Sequence, residues 1–118
     1  MTLEEVKEIL KAEVIIGTNN LDMEIKMGCG CDLMSDVLAF IKSDSLLLTG
    51  LTNTQVIRTA EIADVAAICF VRGKKPDEEI IRLAESKGLP LLVTHLPMFE
   101  SCGRLYKNGL IGCSEYKG

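Results

Sequence analysis

The segment that most restricts the fold is residues 65–71, which are almost all apolar. A strand of this composition has no polar face, so it must be covered on both sides, as in the middle of a sheet layered by helices. Two shorter apolar segments, 46–48 and 89–94, lie on either side along the chain, and amphipathic helical patterns separate all three. This alternation predicts parallel strands joined by right-handed crossovers, with helices on both faces of the sheet.

The N-terminal part predicts further elements of the same kind. Apolar residues at helical spacing favour a helix from residue 3, with Thr2 as N-cap and Glu5 completing a capping box. Residues 14–16 predict a buried strand, and the apolar–polar alternation over 23–27 predicts a strand near a sheet edge. We therefore expect one domain over 1–118, a three-layer α/β/α fold with a mainly parallel, possibly mixed, sheet of about five strands.

Short polar residues mark where the later helices begin. Asp32 is placed to cap a helix that buries Met34, Val37, Leu38 and Ile41. Thr52 and Gln55 have capping-box spacing, Pro76 or Asp77 begins the next helix, and Pro97 precedes the last one.

Composition excludes several classes of partner. The chain has 13 Lys and Arg against 17 Asp and Glu, a net charge of −4, which excludes a broadly basic nucleic-acid surface. No apolar run approaches the ~20 residues of a membrane helix, and the acidic N-terminus is unlike a signal peptide. We expect a cytoplasmic protein with no nucleic-acid or membrane partner. Five cysteines, an odd number without a secretion signal, predict reduced thiols.

Polar residues follow the predicted parallel strands at their carboxyl ends, where open α/β sheets bind ligands. They would share one rim that could hold an anion or a nucleotide. The candidate ligand contacts are Thr49, Gly50, Thr52, Asn53, Arg72, Lys74, Thr94 and His95. No phosphate loop and no dinucleotide fingerprint occurs, and these residue types are also ordinary turn and cap formers.

The sequence Gly28-Cys29-Gly30-Cys31 predicts a flexible loop before a helix N-terminus, which would lower thiol pKa values. Cys29 and Cys31 are therefore candidates for a redox pair or for association with a metal or an iron–sulfur group. A structural zinc site needs four ligands, usually with C-x₂₋₄-C spacing. Two of the remaining cysteines are predicted as core residues, and no resident cofactor is expected. His95 has no catalytic partner that the spacing of residues defines.

The order of these motifs resembles a DRTGG domain, a family similar to the N-terminal domain of HPr kinase/phosphorylase and to a domain of some phosphate acetyltransferases. The literal Asp-Arg-Thr-Gly-Gly string is absent, and Leu51 stands at the position where its second glycine would follow Thr49-Gly50. The resemblance implies a regulatory or assembly module, often dimeric, and small relatives are associated with hydrogenase and iron–sulfur systems. It rests on Gly28 and on segments 32–38, 47–50, 91–94 and 98–100.

Three functions follow as hypotheses. The first is a non-catalytic module that forms a homodimer through an exposed edge strand at 23–27 and binds a protein or a small ligand. The second is a redox or metal sensor that uses Cys29 and Cys31, with a redox or hydrogenase subunit as partner. The third is a nucleotide or phosphate sensor at the strand ends. Since no complete catalytic set is recognisable, an enzymatic activity is the less favoured prediction.

Overall fold

Residues 1–117, which the computed structural model describes, form six strands and five helices. The strands are β1 (Glu13–Ile16), β2 (Met27–Gly30), β3 (Ser45–Thr49), β4 (Ala67–Phe70), β5 (Leu91–Val93) and β6 (Ile111–Gly112). The helices are α1 (Leu3–Leu10), α2 (Met34–Phe40), α3 (Thr54–Ile62), α4 (Glu78–Ser86) and α5 (Met98–Lys107). None of these helices is long and apolar enough to cross a membrane.

The strands form one mixed sheet in the order β1-β5-β4-β3-β2-β6. All neighbouring pairs are parallel except β1 and β5, which are antiparallel. The three-layer fold and the mixed sheet are thereby confirmed. Strand β6 was not predicted, because a strand of two residues has no periodic pattern that distinguishes it from a loop.

Two hydrophobic cores lie on opposite faces of the sheet. Helices α2, α3 and α4 cover one face and α1 and α5 cover the other. Strand β4 contributes to both: Ile68 and Phe70 pack under α3 and α4, whereas Ala67 and Cys69 pack under α1 and α5, and all four are 0% exposed. Burial of a side chain the size of Ile or Phe stabilises the fold by ~1.5–3 kcal/mol, which explains why segment 65–71 has no polar face.

The prediction of a strand over 23–27 is wrong. Only Met27 belongs to a strand, and residues 23–26 instead run beside the first residues of the chain, where the Ile25 amide donates to the Met1 carbonyl at 2.7 Å. The alternation has another cause: Ile25 is fully buried in the core under α1, while the charged residues on either side are exposed. The apolar–polar alternation therefore comes from an extended, half-buried segment that is not part of the sheet.

The prediction of a loop over 28–31 is also wrong, because residues 27–30 form β2. A Cβ atom on Gly28 would lie 3.1 Å from Leu110, and one on Gly30 would lie 2.5 Å from the Cys102 sulfur. Gly30 is therefore needed so that Cys102 can pack close to β2, whereas a Cβ atom on Gly28 would require only a small shift of the Leu110 side chain. This strand lies between β3 and β6, so it is not an edge, and the edge-strand argument for a dimer has no support at 23–27.

Some of the predicted caps are confirmed and others are wrong. The Thr2–Glu5 capping box is present and Asp77 caps α4. Asp32 does not cap α2, whose N-cap position is held by Leu33 without a side-chain hydrogen bond. Asn53, not Thr52, caps α3, by accepting from the Val56 amide. Leu38 is wrong as a core residue: it is 47% exposed on α2.

Candidate functional site at the carboxyl edge of the sheet

At the carboxyl ends of the neighbouring strands β4 and β5, the chain leaves toward opposite faces of the sheet. After β4 the chain enters α4 on one face of the sheet, and after β5 it enters α5 on the other. In open α/β sheets, ligands bind in the crevice that such a reversal opens between two strand ends. The loops that follow these two strands hold Arg72, Lys74, Thr94 and His95, four of the candidate contacts that the sequence singled out.

Asp32 organises the next strand end, that of β3. Its Oδ1 atom accepts a hydrogen bond from the Thr49 hydroxyl at 2.9 Å and another from the Gly50 amide at 2.7 Å. Thr49 is buried and its hydroxyl also accepts from the Leu51 amide. The carboxylate therefore ties the loop after β2 to the loop after β3. Sequence reasoning missed this role because an Asp before a helix also fits a cap.

Arg72 brings a positive charge to the same place. It begins a tight turn after β4 in which Arg72 and Gly73 have φ angles of 59° and 67°. A left-handed conformation costs a non-glycine residue roughly 1–2 kcal/mol. A Cβ atom on Gly50 would lie 2.7 Å from the Arg72 Nη2 atom, so only a glycine lets the guanidinium rest on the loop after β3.

The loops after β4 and β5 are joined by backbone hydrogen bonds. The Gly73 amide donates to the Thr94 carbonyl at 2.8 Å, and the Arg72 amide donates to the Leu96 carbonyl at 2.9 Å. The buried Thr94 hydroxyl donates to the Leu10 carbonyl at 2.7 Å and accepts from the Leu96 amide, so it is engaged in the fold. The exposed imidazole of His95 lies over Gly73, with Nδ1 3.1 Å from the position of a Cβ atom there.

An open cleft of about 650 Å³ lies beside Arg72, between the N-termini of α3 and α4. Its lining brings together four of the eight predicted contacts, whereas Thr49, Arg72, Thr94 and His95 do not line it. Two carboxylates are also present, although that of Asp77 accepts from the Ile80 amide as a cap. The lining residues are Gly50, Leu51, Thr52, Asn53, Thr54, Lys74, Asp77, Glu79 and Ile80.

The two predicted cysteines lie in β2 and directly after it. Burial raises the pKa of Cys29 to about 11, helped by the nearby Cys113 thiol, so the prediction of an activated thiol is wrong for this residue. The Cys31 sulfur contacts the Leu33 amide and carbonyl, each at 3.4 Å. Among residues 1–117, no three His, Cys, Asp or Glu side chains are grouped so that they could hold a metal ion.

Comparison with known proteins places this fold. A structure of the CBS and DRTGG domains of the regulatory region of Clostridium perfringens pyrophosphatase, complexed with activator, diadenosine tetraphosphate, is similar with a TM-score of 0.68 and 16% identity. The match covers 88% of this chain and 45% of that one, so the chain spans less than half of its relative. None of the curated proteins matches. The model of the DRTGG domain matches residues 5–107, most of the chain, and the protein therefore belongs to the DRTGG domain family.

Proposed function

We propose that this chain is a regulatory module that binds a phosphorylated small ligand, of the nucleotide class, in the cleft between α3 and α4. The observation that carries the proposal is a cleft lined by Lys74 and by Gly50, the residue against which the Arg72 guanidinium rests. An ammonium group in a cleft and a guanidinium beside it are suited to phosphoryl oxygens.

The charge distribution of the cleft supports a nucleotide over free phosphate. The lining holds both a cation, Lys74, and a carboxylate, Glu79. Phosphoryl groups would lie toward Arg72 and Lys74, and the carboxylate would accept hydrogen bonds from ribose hydroxyls, as acidic residues do in other α/β nucleotide sites. A volume of about 650 Å³ is within the range of small-molecule sites. The relative whose regulatory region was solved with diadenosine tetraphosphate gives independent support for this ligand class.

A binding role requires no reaction, and the hydroxyl groups at the strand ends are already engaged. Thr49 donates to Asp32, and Thr94 donates to the Leu10 carbonyl. Both residues are also buried, so neither hydroxyl is accessible to a bound ligand as a nucleophile. We therefore propose a regulatory function without catalysis, in the cytoplasm, with a fold related to the N-terminal domain of HPr kinase/phosphorylase.

Titration calorimetry with AMP, ATP and diadenosine tetraphosphate tests this function. We expect at least one nucleotide to bind, and the Arg72→Ala/Lys74→Ala variant to lose at least tenfold in affinity. The matched control is Arg104→Ala/Lys107→Ala, which removes the same two charges from the last turn of α5, at the opposite edge of the sheet. Equal losses in both variants, or no binding of any nucleotide, would contradict the proposal.

Self-association is the second part of the proposed function, and α2 supports it. Leu33, Leu38 and Phe40 are 58%, 47% and 69% exposed, which is much apolar surface for one short helix and its N-cap. Exposed apolar groups of this kind mark protein interfaces. Analytical sedimentation should show a dimer of the wild-type chain and a monomer of the Leu38→Ser/Phe40→Ser variant. A wild-type chain that is monomeric at tens of micromolar, the concentration range of weak complexes, would refute self-association.

A further inference from the structure

A different pair of cysteines is brought together by strands β2 and β6. These strands are parallel, with Met27 opposite Ile111 and Gly28 opposite Gly112. Gly112 has an extended backbone, and Cys113 follows it as the first residue of a 3₁₀ helix, Cys113–Glu115, beside the position of Cys29. The Cys113 sulfur lies 3.9 Å from the Gly28 carbonyl oxygen, which confirms that its side chain reaches back toward β2. The two thiols are 84 residues apart in the sequence and are neighbours only in the fold.

Sheet geometry favours this pair over Cys29 and Cys31. Residues two apart in one strand share a face but are ~6.6 Å apart between Cα atoms, at the upper limit for a disulfide. Cys113 directly follows Gly112, which is paired with Gly28, so its Cα atom lies one interstrand spacing of ~4.8 Å from β2, inside the observed range. Cys31 is in addition held by its contacts with Leu33.

The other two cysteines lie on the face of the sheet opposite to the Cys29 side chain. Cys69 is fully buried in the core under α1 and α5. Cys102 belongs to α5 and packs over Gly30, on that same face. Side chains alternate along a strand, and β2 residue Cys29 is in register with Leu47, which faces α2 and α3. Cys31 and Cys113 are therefore the two cysteines that remain as partners for Cys29, and the Cα separations favour Cys113.

We propose that Cys29 and Cys113 form an intramolecular disulfide by exchange with a small-molecule disulfide. The Cys29 thiolate attacks one sulfur of the reagent, whose S–S bond breaks and releases one small thiol. The Cys113 thiolate then attacks the Cys29 sulfur of the mixed disulfide and releases the second small thiol. Two protein thiols are oxidised, the reagent gains two electrons, and the two protons lost by the protein are taken up by the released thiolates.

The order of the two attacks follows from exposure. Cys29 is half-buried, whereas Cys113 is 9% exposed, so an external reagent reaches Cys29 first. Burial raises the pKa of Cys29 to about 11, so few molecules hold the thiolate at neutral pH and the first step is slow. The exchange should therefore become faster as the pH rises.

The test uses the folded chain and bis(2-hydroxyethyl) disulfide, followed by acid quenching, alkylation and trypsin digestion. Cleavage after Lys26, Lys42 and Lys107 separates Cys29 on peptide 27–42 from Cys113 on peptide 108–117. We expect a protein lighter by about 2 Da, the mass of two hydrogens, and a crosslink between these two peptides. Fragment ions from the crosslinked species place the bond on Cys29.

Three variants make the outcome decisive. Cys31→Ser should retain the crosslink, whereas Cys29→Ser and Cys113→Ser should each lose it, with circular dichroism used to verify that every variant is folded. A bond within peptide 27–42, a crosslink that uses Cys31, or mixed disulfides that never resolve would each overturn the proposal. If one of the serine variants fails to fold, the fragment ions from the wild-type chain and from Cys31→Ser decide alone.

Discussion

Replacement of Asp32 by Ala is the sharpest test of how the carboxyl edge is built. The change removes two hydrogen bonds, from the Thr49 hydroxyl at 2.9 Å and from the Gly50 amide at 2.7 Å. Hydrogen bonds to a charged group contribute ~1.5–3 kcal/mol each, but Asp32 is exposed, so water compensates for part of this. We take ~1 kcal/mol for each bond, which predicts a loss of about 2 kcal/mol in the free energy of unfolding.

For a domain of this size, that loss lowers the melting temperature by about 8 °C. Urea denaturation followed by circular dichroism measures the free energy directly, with Asp36→Ala as the control. Asp36 lies in the first turn of α2, where its charge is worth ~0.3–1 kcal/mol through the helix dipole. If Asp32→Ala costs no more than Asp36→Ala, the carboxylate does not hold the two loops together and our reading of the edge is wrong.

Three further predictions address separate contacts. Gly50→Ala should displace only the far end of the Arg72 side chain, and so weaken nucleotide binding with little loss of stability. The control is Gly103→Ala, which lies in open space on α5 and should not change binding. Equal nucleotide affinities of the two variants in calorimetry would contradict this prediction. Thr94→Val should cost ~1–3 kcal/mol in urea denaturation, because it leaves the buried α1 carbonyl without its donor. The rate of Cys29 alkylation in the folded chain should rise about tenfold per pH unit up to pH 10, because a pKa of about 11 keeps the thiol protonated. In the urea-unfolded chain the rate should level off near pH 9. The same plateau in the folded chain would refute the prediction.

The order of the elements could be predicted because each helix has its own apolar stripe and each central strand its own apolar run. The capping box at Thr2 and the cap at Asp77 are local as well, since a side chain bonds an amide three residues away. These features need no knowledge of the rest of the chain. The errors occurred where two interpretations share one local pattern, as at 23–27, where an alternating segment pairs with the N-terminus instead of a sheet strand.

The amino-acid sequence by itself determined the layered α/β architecture and the set of strand-end residues from which a site could be built. Tertiary structure alone decided which of them meet. The contact of Asp32 with Gly50 and the approach of Arg72 to the same glycine join strand ends separated by 18 and 22 positions, and the register that brings Cys113 to Cys29 joins positions 84 apart. Such contacts depend on the order in which strands pair, which is set by packing over the whole sheet and leaves no periodic trace in any one segment.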